Sequence, residues 1–203
     1  MRTIRWGIGF VLLAGLMGCQ SSLMVKSGVA SSTMPTPASG KALVVFMRPS
    51  MLGGAIQSSV YDTHQGDNDF IGIVSTKNKI AYQANPGEHL FMVIAENADF
   101  MIAHLDAGKT YYALISPRPG FWKARFSLLP IHNRADAKYS LKSKDFQKWM
   151  LETSWVKVTP AALQWYQQHK ASILQKQNEY MLKWNQAPPQ QHQQLTLSAS
   201  DGT

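Results

Sequence analysis

Gly108-Lys109-Thr110 carries the glycine, lysine and hydroxyl triplet that ends a phosphate-binding loop. Such a loop also needs a glycine five positions before its last one and a helix after the threonine. Ala103 stands at the first place, and Tyr111 to Ile115 read as strand, so Gly108 is expected to turn a hairpin instead. His64, His89, His104, His132, His169 and His192 are scattered without the paired spacing of a zinc helix, and Cys19 is the single cysteine. His89 and His104 could meet across neighbouring strands, where one ring is expected to face solvent and the other to be hydrogen-bonded. Asp67-Asn68-Asp69 lacks the glycine and distal glutamate of a calcium loop and reads as a polar turn. No Gly-x-Ser-x-Gly elbow is present. Glu88 and Glu96 belong at the two ends of one strand, and Asp99 and Asp106 read as turn residues, so paired-carboxylate chemistry has no obvious seat. No catalytic residue, metal or cofactor is expected, and the chain reads as non-enzymatic.

Cys19 is the residue with a defined chemical fate. Arg2 and Arg5 precede an apolar run from Trp6 to Met17, too short to span a bilayer and of the length of an export signal. Leu16-Met17-Gly18-Cys19 resembles the lipobox of bacterial lipoproteins, with Leu16 at the branched apolar site, Gly18 at the small site and Cys19 as the acceptor of diacylglycerol. The resemblance implies signal-peptide cleavage before Cys19, with palmitate-type chains on that cysteine as the covalent lipid. Two or more chains hold a protein firmly on a membrane. Gln20, in place of the aspartate that retains lipoproteins at the inner membrane, implies the outer membrane with the domain facing the periplasm.

The elements behind these residues divide the chain. Residues 1–18 are the signal peptide and 19–40 a lipidated flexible tether rich in Ser, Thr, Ala, Pro and Gly. Residues 41–132 form a β-sandwich with eight strand candidates: Ala42 to Arg48, Ile56 to Asp62, Phe70 to Val74, Asn78 to Ala84, Glu88 to Glu96, Phe100 to Leu105, Lys109 to Ser116 and Phe121 to Ile131. Residues 133–186 are a helical extension: a short helix capped by Ser143, then a long one entered at Thr159-Pro160 and stopped by Pro188-Pro189. Residues 187–203 read as a disordered polar tail. The fold class expected is mainly β, an antiparallel sandwich with a C-terminal helical extension.

Three motifs within the strands resemble an uncharacterised domain family of bacterial lipoproteins: Ala42 to Pro49, an apolar strand ending in Arg-Pro; Pro86-Gly87-Glu88-His89; and Gly108 to Tyr112. The resemblance implies an immunoglobulin- or transthyretin-like sandwich and assigns no activity.

The precursor carries +8, and loss of Arg2 and Arg5 with the leader leaves +6, an excess suited to anionic surfaces. Nucleic acid is not an expected partner. The membrane, through the lipid, and an envelope protein are. Trp165, Tyr166 and Trp184 lie on the long basic helix and are the candidate partner contacts. The expected role is a structural or adaptor component of a cell-envelope assembly, such as a secretion apparatus; the alternative is a module binding a ligand, glycan or peptidoglycan. Cys19→Ser should leave the precursor uncleaved and without incorporated palmitate, and normal processing of that variant would refute the lipoprotein reading.

Overall fold

The computed structural model describes residues 22–63, 68–118 and 125–203; Leu16, Gly18 and Cys19, and with them the expected leader, lie outside these. The strands are β1 (Met24–Lys26), β2 (Ala42–Arg48), β3 (Ser58–Asp62), β4 (Asp69–Val74), β5 (Asn78–Ala84), β6 (Gly87–Ile94), β7 (Ala98–Leu105), β8 (Thr110–Arg118), β9 (Arg125–Ile131), β10 (Ser154–Val158) and β11 (Thr196–Leu197). The helices are α1 (Lys144–Glu152), α2 (Pro160–Asn185) and α3 (Pro189–Gln194). The chain is mainly β. One sheet runs β1-β10-β5-β2-β8-β9 and the other β11-β7-β6-β3-β4.

Both sheets are mixed, which corrects the antiparallel expectation. β2 runs parallel to β8, β10 parallel to β5, and β11 parallel to β7. Alternating hydrophobicity marks a strand but not its partner, and after β2 the chain crosses to the second sheet twice, returning first as antiparallel β5 and then as β8 in the direction of β2. The Gly108 turn is corrected with it: β7 and β8 belong to different sheets, so the turn carries the chain from one layer to the other, with Gly108 at φ +77°. Asp99 likewise sits inside β7 rather than in a turn.

Every side chain of β2 is fully buried. Ala42, Val44 and Phe46 enter the core between the sheets, with Val60, Phe91 and Tyr111. Leu43, Val45 and Met47 point the other way, into a second core with Tyr112, Leu114 and Trp155 that Phe146 and Trp149 of α1 help to cover. The outer face of the second sheet, with Tyr61, Met92 and Phe100, is covered by Tyr166 and Ile173 of α2. Two sheets thus lie between two helical covers. The helix boundaries follow local capping as expected: the Ser143 hydroxyl accepts the Phe146 N–H at 3.1 Å, and the Thr159 hydroxyl accepts the Ala162 N–H at 3.3 Å ahead of Pro160.

Two segments expected to be loose are ordered. In the expected tether, β1 pairs with β10, the Trp155 indole N–H donates to the Thr33 carbonyl at 2.8 Å, and the Gln83 amide donates to the Thr36 carbonyl at 3.0 Å. In the expected tail, Ile102 N–H donates to the Leu195 carbonyl, β11 joins β7, Leu197 is fully buried, and Thr110 and Thr203 exchange backbone hydrogen bonds at 2.9 and 3.1 Å. These stretches are held mostly through backbone groups. Composition records side chains, so it does not register this docking.

β4 shifts register against β3 between Val60 and Tyr61, and beside that irregularity Gly72 lets three strands close in. A Cβ at Gly72 would lie 2.6 Å from Ile80 Cδ1 and 3.2 Å from Met24 Cε, on a backbone at φ +151°. Gly72→Ala should lower stability by about 1–3 kcal/mol through overpacking. Urea denaturation measures this, and an unchanged midpoint would mean that Ile80 and Met24 simply move apart.

Candidate functional site

A cleft of about 870 Å³ lies at the β9 edge of the first sheet. Its floor is the end of β8 and alternate residues of β9, with Arg118, Ser127 and Leu129; His132, Arg134, Lys138 and Tyr139 follow from the segment after β9. The opposite wall is α3, through Gln190, Gln193 and Gln194. The cleft exists because the C-terminal chain returns across the sandwich: without α3 and β11 docked on β7, only one wall would stand.

Among the described residues, no Asp or Glu lines this cleft. The carboxylates that balance its cations sit beside it. Asp99 pairs with Arg118 at 3.2 Å and Asp136 with Arg134 at 2.8 Å, whereas Lys138 lies 5.3 Å from the Tyr139 ring centroid and has no acidic partner among the described residues. The glutamine amides opposite offer both donors and acceptors. A cationic floor facing an amide wall suits a polar, anionic ligand, and desolvation within a cleft strengthens such contacts relative to open surface.

His132 is held by Asp201. Its Nδ1 lies 2.9 Å from Asp201 Oδ2, and Asp201 in turn accepts the Ser198 N–H and hydroxyl at 2.9 Å each and the Asn133 N–H at 3.1 Å. Burial raises the Asp201 pKa, but these hydrogen bonds outweigh it and hold the carboxyl below its ordinary value. An ionised Asp201 accepts the Nδ1 proton of His132, leaving Nε2 as the uncommitted atom of the ring. The Ser198 hydroxyl donates to the aspartate rather than to the imidazole, so the three groups are not wired as a nucleophile, base and orienting acid. They pin the C-terminus and orient His132.

A second aspartate–histidine pair is enclosed. His89 Nδ1 lies 2.7 Å from Asp62 Oδ2 and its Nε2 2.8 Å from the Asn85 carbonyl, while Tyr82 donates to the same Asp62 oxygen at 3.2 Å. Acceptors at both nitrogens favour the protonated ring. Burial disfavours that charge, but Asp62 and the Asn85 carbonyl prevail and raise its pKa. His104 faces outward opposite Glu88, while His89 lies opposite Ala103; the two histidines occupy different faces and do not meet.

The expected partner contacts on α2 turn toward the sheet. Tyr166 is buried, stacks on Phe70 at 5.1 Å and donates to the Asn68 carbonyl at 2.6 Å; Trp165 packs on Phe70 at 6.0 Å and Trp184 on Phe100 at 5.7 Å, both partly buried. The motifs behind the family resemblance have structural tasks. Arg48 donates to the Gly53 and Ile56 carbonyls at 2.6 Å each and so folds the loop after β2, His89 closes the turn at Asn85, and Tyr111 accepts the Asp106 N–H at 2.8 Å. Of the residues around the cleft, the sequence offers His132 only as one of six scattered histidines, and Arg118, Arg134, Lys138 and Asp201 not at all. Arg134 and Lys138 flank Asp136 with no distinctive local pattern, and Asp201 lies sixty-nine positions from His132.

Neither a protein-family model nor a curated protein matches the chain.

Because Asp201 is held below its ordinary pKa, its contribution to stability is present above the unfolded value and fades as pH falls through the folded one. Asp201→Asn should therefore cost about 1–3 kcal/mol at pH 7, as expected for a charged buried acceptor. The difference from wild type should shrink as pH is lowered below the ordinary carboxylate range of about 4. Urea denaturation across pH tests this; a pH-independent difference would show that the carboxylate charge is not what matters.

Proposed function

We propose that the chain is a non-enzymatic lipoprotein of the bacterial envelope, anchored through Cys19 on the periplasmic face of the outer membrane, whose folded part binds an anionic ligand in the β9–α3 cleft. The observation that carries this is the acid-free lining around Arg118, His132, Arg134 and Lys138. In that compartment the ligand chemistry that fits is a carboxylate-bearing glycan or peptidoglycan fragment: its sugars can use the glutamine amides and its carboxylates the cations. The three motifs support grouping the β2–β9 sandwich, in which β2 and β8 pair in parallel, with immunoglobulin- or transthyretin-like lipoprotein domains; β10 and β11 add two further parallel pairings.

The adaptor role is the less supported reading. Two surfaces it could use, the aromatic face of α2 and the β9 edge, are already engaged. The aromatic face of α2 is packed on the sheet, and the outward N–H groups of Phe126 and Leu128 on edge strand β9 already donate to Asn97 and Asp99 at 2.9 and 3.0 Å, with Pro130 supplying no N–H at all.

Muropeptides with free carboxylates should raise the thermal midpoint of the detergent-solubilised lipoprotein, whereas neutral chitooligosaccharides should not. Arg134→Glu with Lys138→Glu should weaken muropeptide binding about tenfold or more, each reversed contact being worth on the order of 1 kcal/mol. Equal binding by the double variant would remove the cleft from consideration. A stoichiometric envelope protein retained regardless of these charges would favour the adaptor instead.

A further inference from the structure

The chain enters the fold at a fixed point close to the anchoring cysteine. The Thr159 hydroxyl donates to the Ser22 and Leu23 carbonyls at 2.9 Å each, its N–H donates to the Leu23 carbonyl at 3.3 Å, and β1 continues from there along β10. Only Gln20 and Ser21 separate Cys19 from Ser22. Three residue steps of even fully extended chain span at most about 11 Å. The length expected to act as a free tether is instead spent running along the first sheet.

We propose that the lipid on Cys19 holds the β1–β10 edge and the first turns of α2 against the bilayer, so that this edge is a lipid-contacting surface; the proposal rests on the reading of Cys19 as the acylated residue. The edge has the chemistry for that contact. Val25, Val29 and Leu163 are 38%, 48% and 51% exposed, and Lys26 and Lys157 are exposed beside them. The sequence contains no Asp or Glu before Asp62 and none from Thr153 to Asn178, so no acidic side chain on β1, β10 or the first turns of α2 opposes approach to phosphate headgroups. Each such lysine near an anionic leaflet contributes about 1 kcal/mol. The valines and the leucine can enter the interface, where a small apolar contact adds to an anchor already present.

The topology then sets where the cleft points. β1 and β9 are opposite edges of the six-stranded sheet. Five strand spacings put them roughly 24 Å apart. With β1 on the membrane, the cleft at β9 opens away from it, toward material in the periplasm.

The mature chain has no cysteine besides the acylated one, so an introduced cysteine is a unique labelling site. Full-length lipoprotein carrying Val25→Cys, Leu163→Cys or Leu182→Cys would be labelled with NBD and reconstituted into vesicles of phosphatidylethanolamine and phosphatidylglycerol containing headgroup-nitroxide lipid. Leu182 is 67% exposed and nineteen residues along α2 from Leu163. That places it about 28 Å further along the helix. Quenching at 25 and 163 should exceed that at 182 several-fold. A long Gly/Ser insertion between Ser21 and Ser22 should bring quenching at 163 down to the level at 182 while vesicle flotation persists. Flotation with equal quenching at all three sites overturns the orientation and leaves the anchor standing. Loss of flotation in the unmodified chain, with no lipid mass on Cys19, overturns the anchor reading itself. Quenching unchanged by the insertion overturns the short leash as the cause.

Discussion

A strand with no exposed side chain cannot sit in a sheet that has one face in water. β2 is such a strand: Leu43, Val45 and Met47 are as buried as Val44 and Phe46. Its inner residues need the second sheet and its outer residues need a further cover. Burying a side chain of this kind is worth about 1.5–3 kcal/mol, so leaving Leu43, Val45 and Met47 bare would forfeit a large fraction of a typical net stability. The segment after β9, with Tyr139, Leu141, Phe146 and Trp149, supplies that cover. The same logic on the other side brings α2 down on Tyr61, Met92 and Phe100. Once both helices are committed, the long amphipathic α2 has its aromatic side spent on the fold.

Two buried cations tie loops and remote segments to the first sheet. Arg48 ends β2 over the Phe126 ring at 4.2 Å, with its guanidinium turned to loop carbonyls, and burial pushes its pKa down to about 10. Lys79, on neighbouring β5, donates to the Ser31, Met150 and Thr153 carbonyls at 2.9, 2.5 and 3.0 Å, and its pKa is lowered by burial to about 8. A buried ammonium without acceptors would cost several kcal/mol. Its three carbonyls come from the N-terminal run, the end of α1 and the start of β10, so one side chain joins segments that are remote in sequence. Ordering residues 22–40 costs conformational entropy of about 1–2 kcal/mol each. Hydrogen bonds of this kind, with Met34 tucked under the outer core, offset it.

What the sequence revealed follows from range. β2, β5 and the ends of α2 are written in local pattern: a continuous apolar run closed by Pro49, alternation stopped at Asn85-Pro86, a capping threonine before Pro160. Ser154 to Val158 escaped notice because five residues between two helices carry too little alternation to stand out. β11, the docked N-terminal run and the parallel pairings escaped for a different reason. They depend on backbone groups meeting across long separations, and backbone groups are the same for every residue except proline. The cleft was illegible for both reasons together, since Gln190 to Gln194 look like a polar tail until α3 is placed opposite Arg134 and Lys138.

The two aspartate–histidine pairs show what placement does to identical chemistry. At His89 both ring nitrogens are engaged and the ring is 6% exposed, so the pair holds a turn. At His132 the carboxylate occupies one nitrogen, while the ring lines a cleft with Arg118 and Arg134, whose acids Asp99 and Asp136 are set beside it rather than within it, and with Lys138. Asp201 belongs to the final residues of the chain, which also raise the α3 wall and bond Thr203 to Thr110. The segment that closes the core with Leu197 therefore also shapes the cleft, although its composition resembles a disordered tail. That coupling makes the folded C-terminus a condition for any binding the cleft performs.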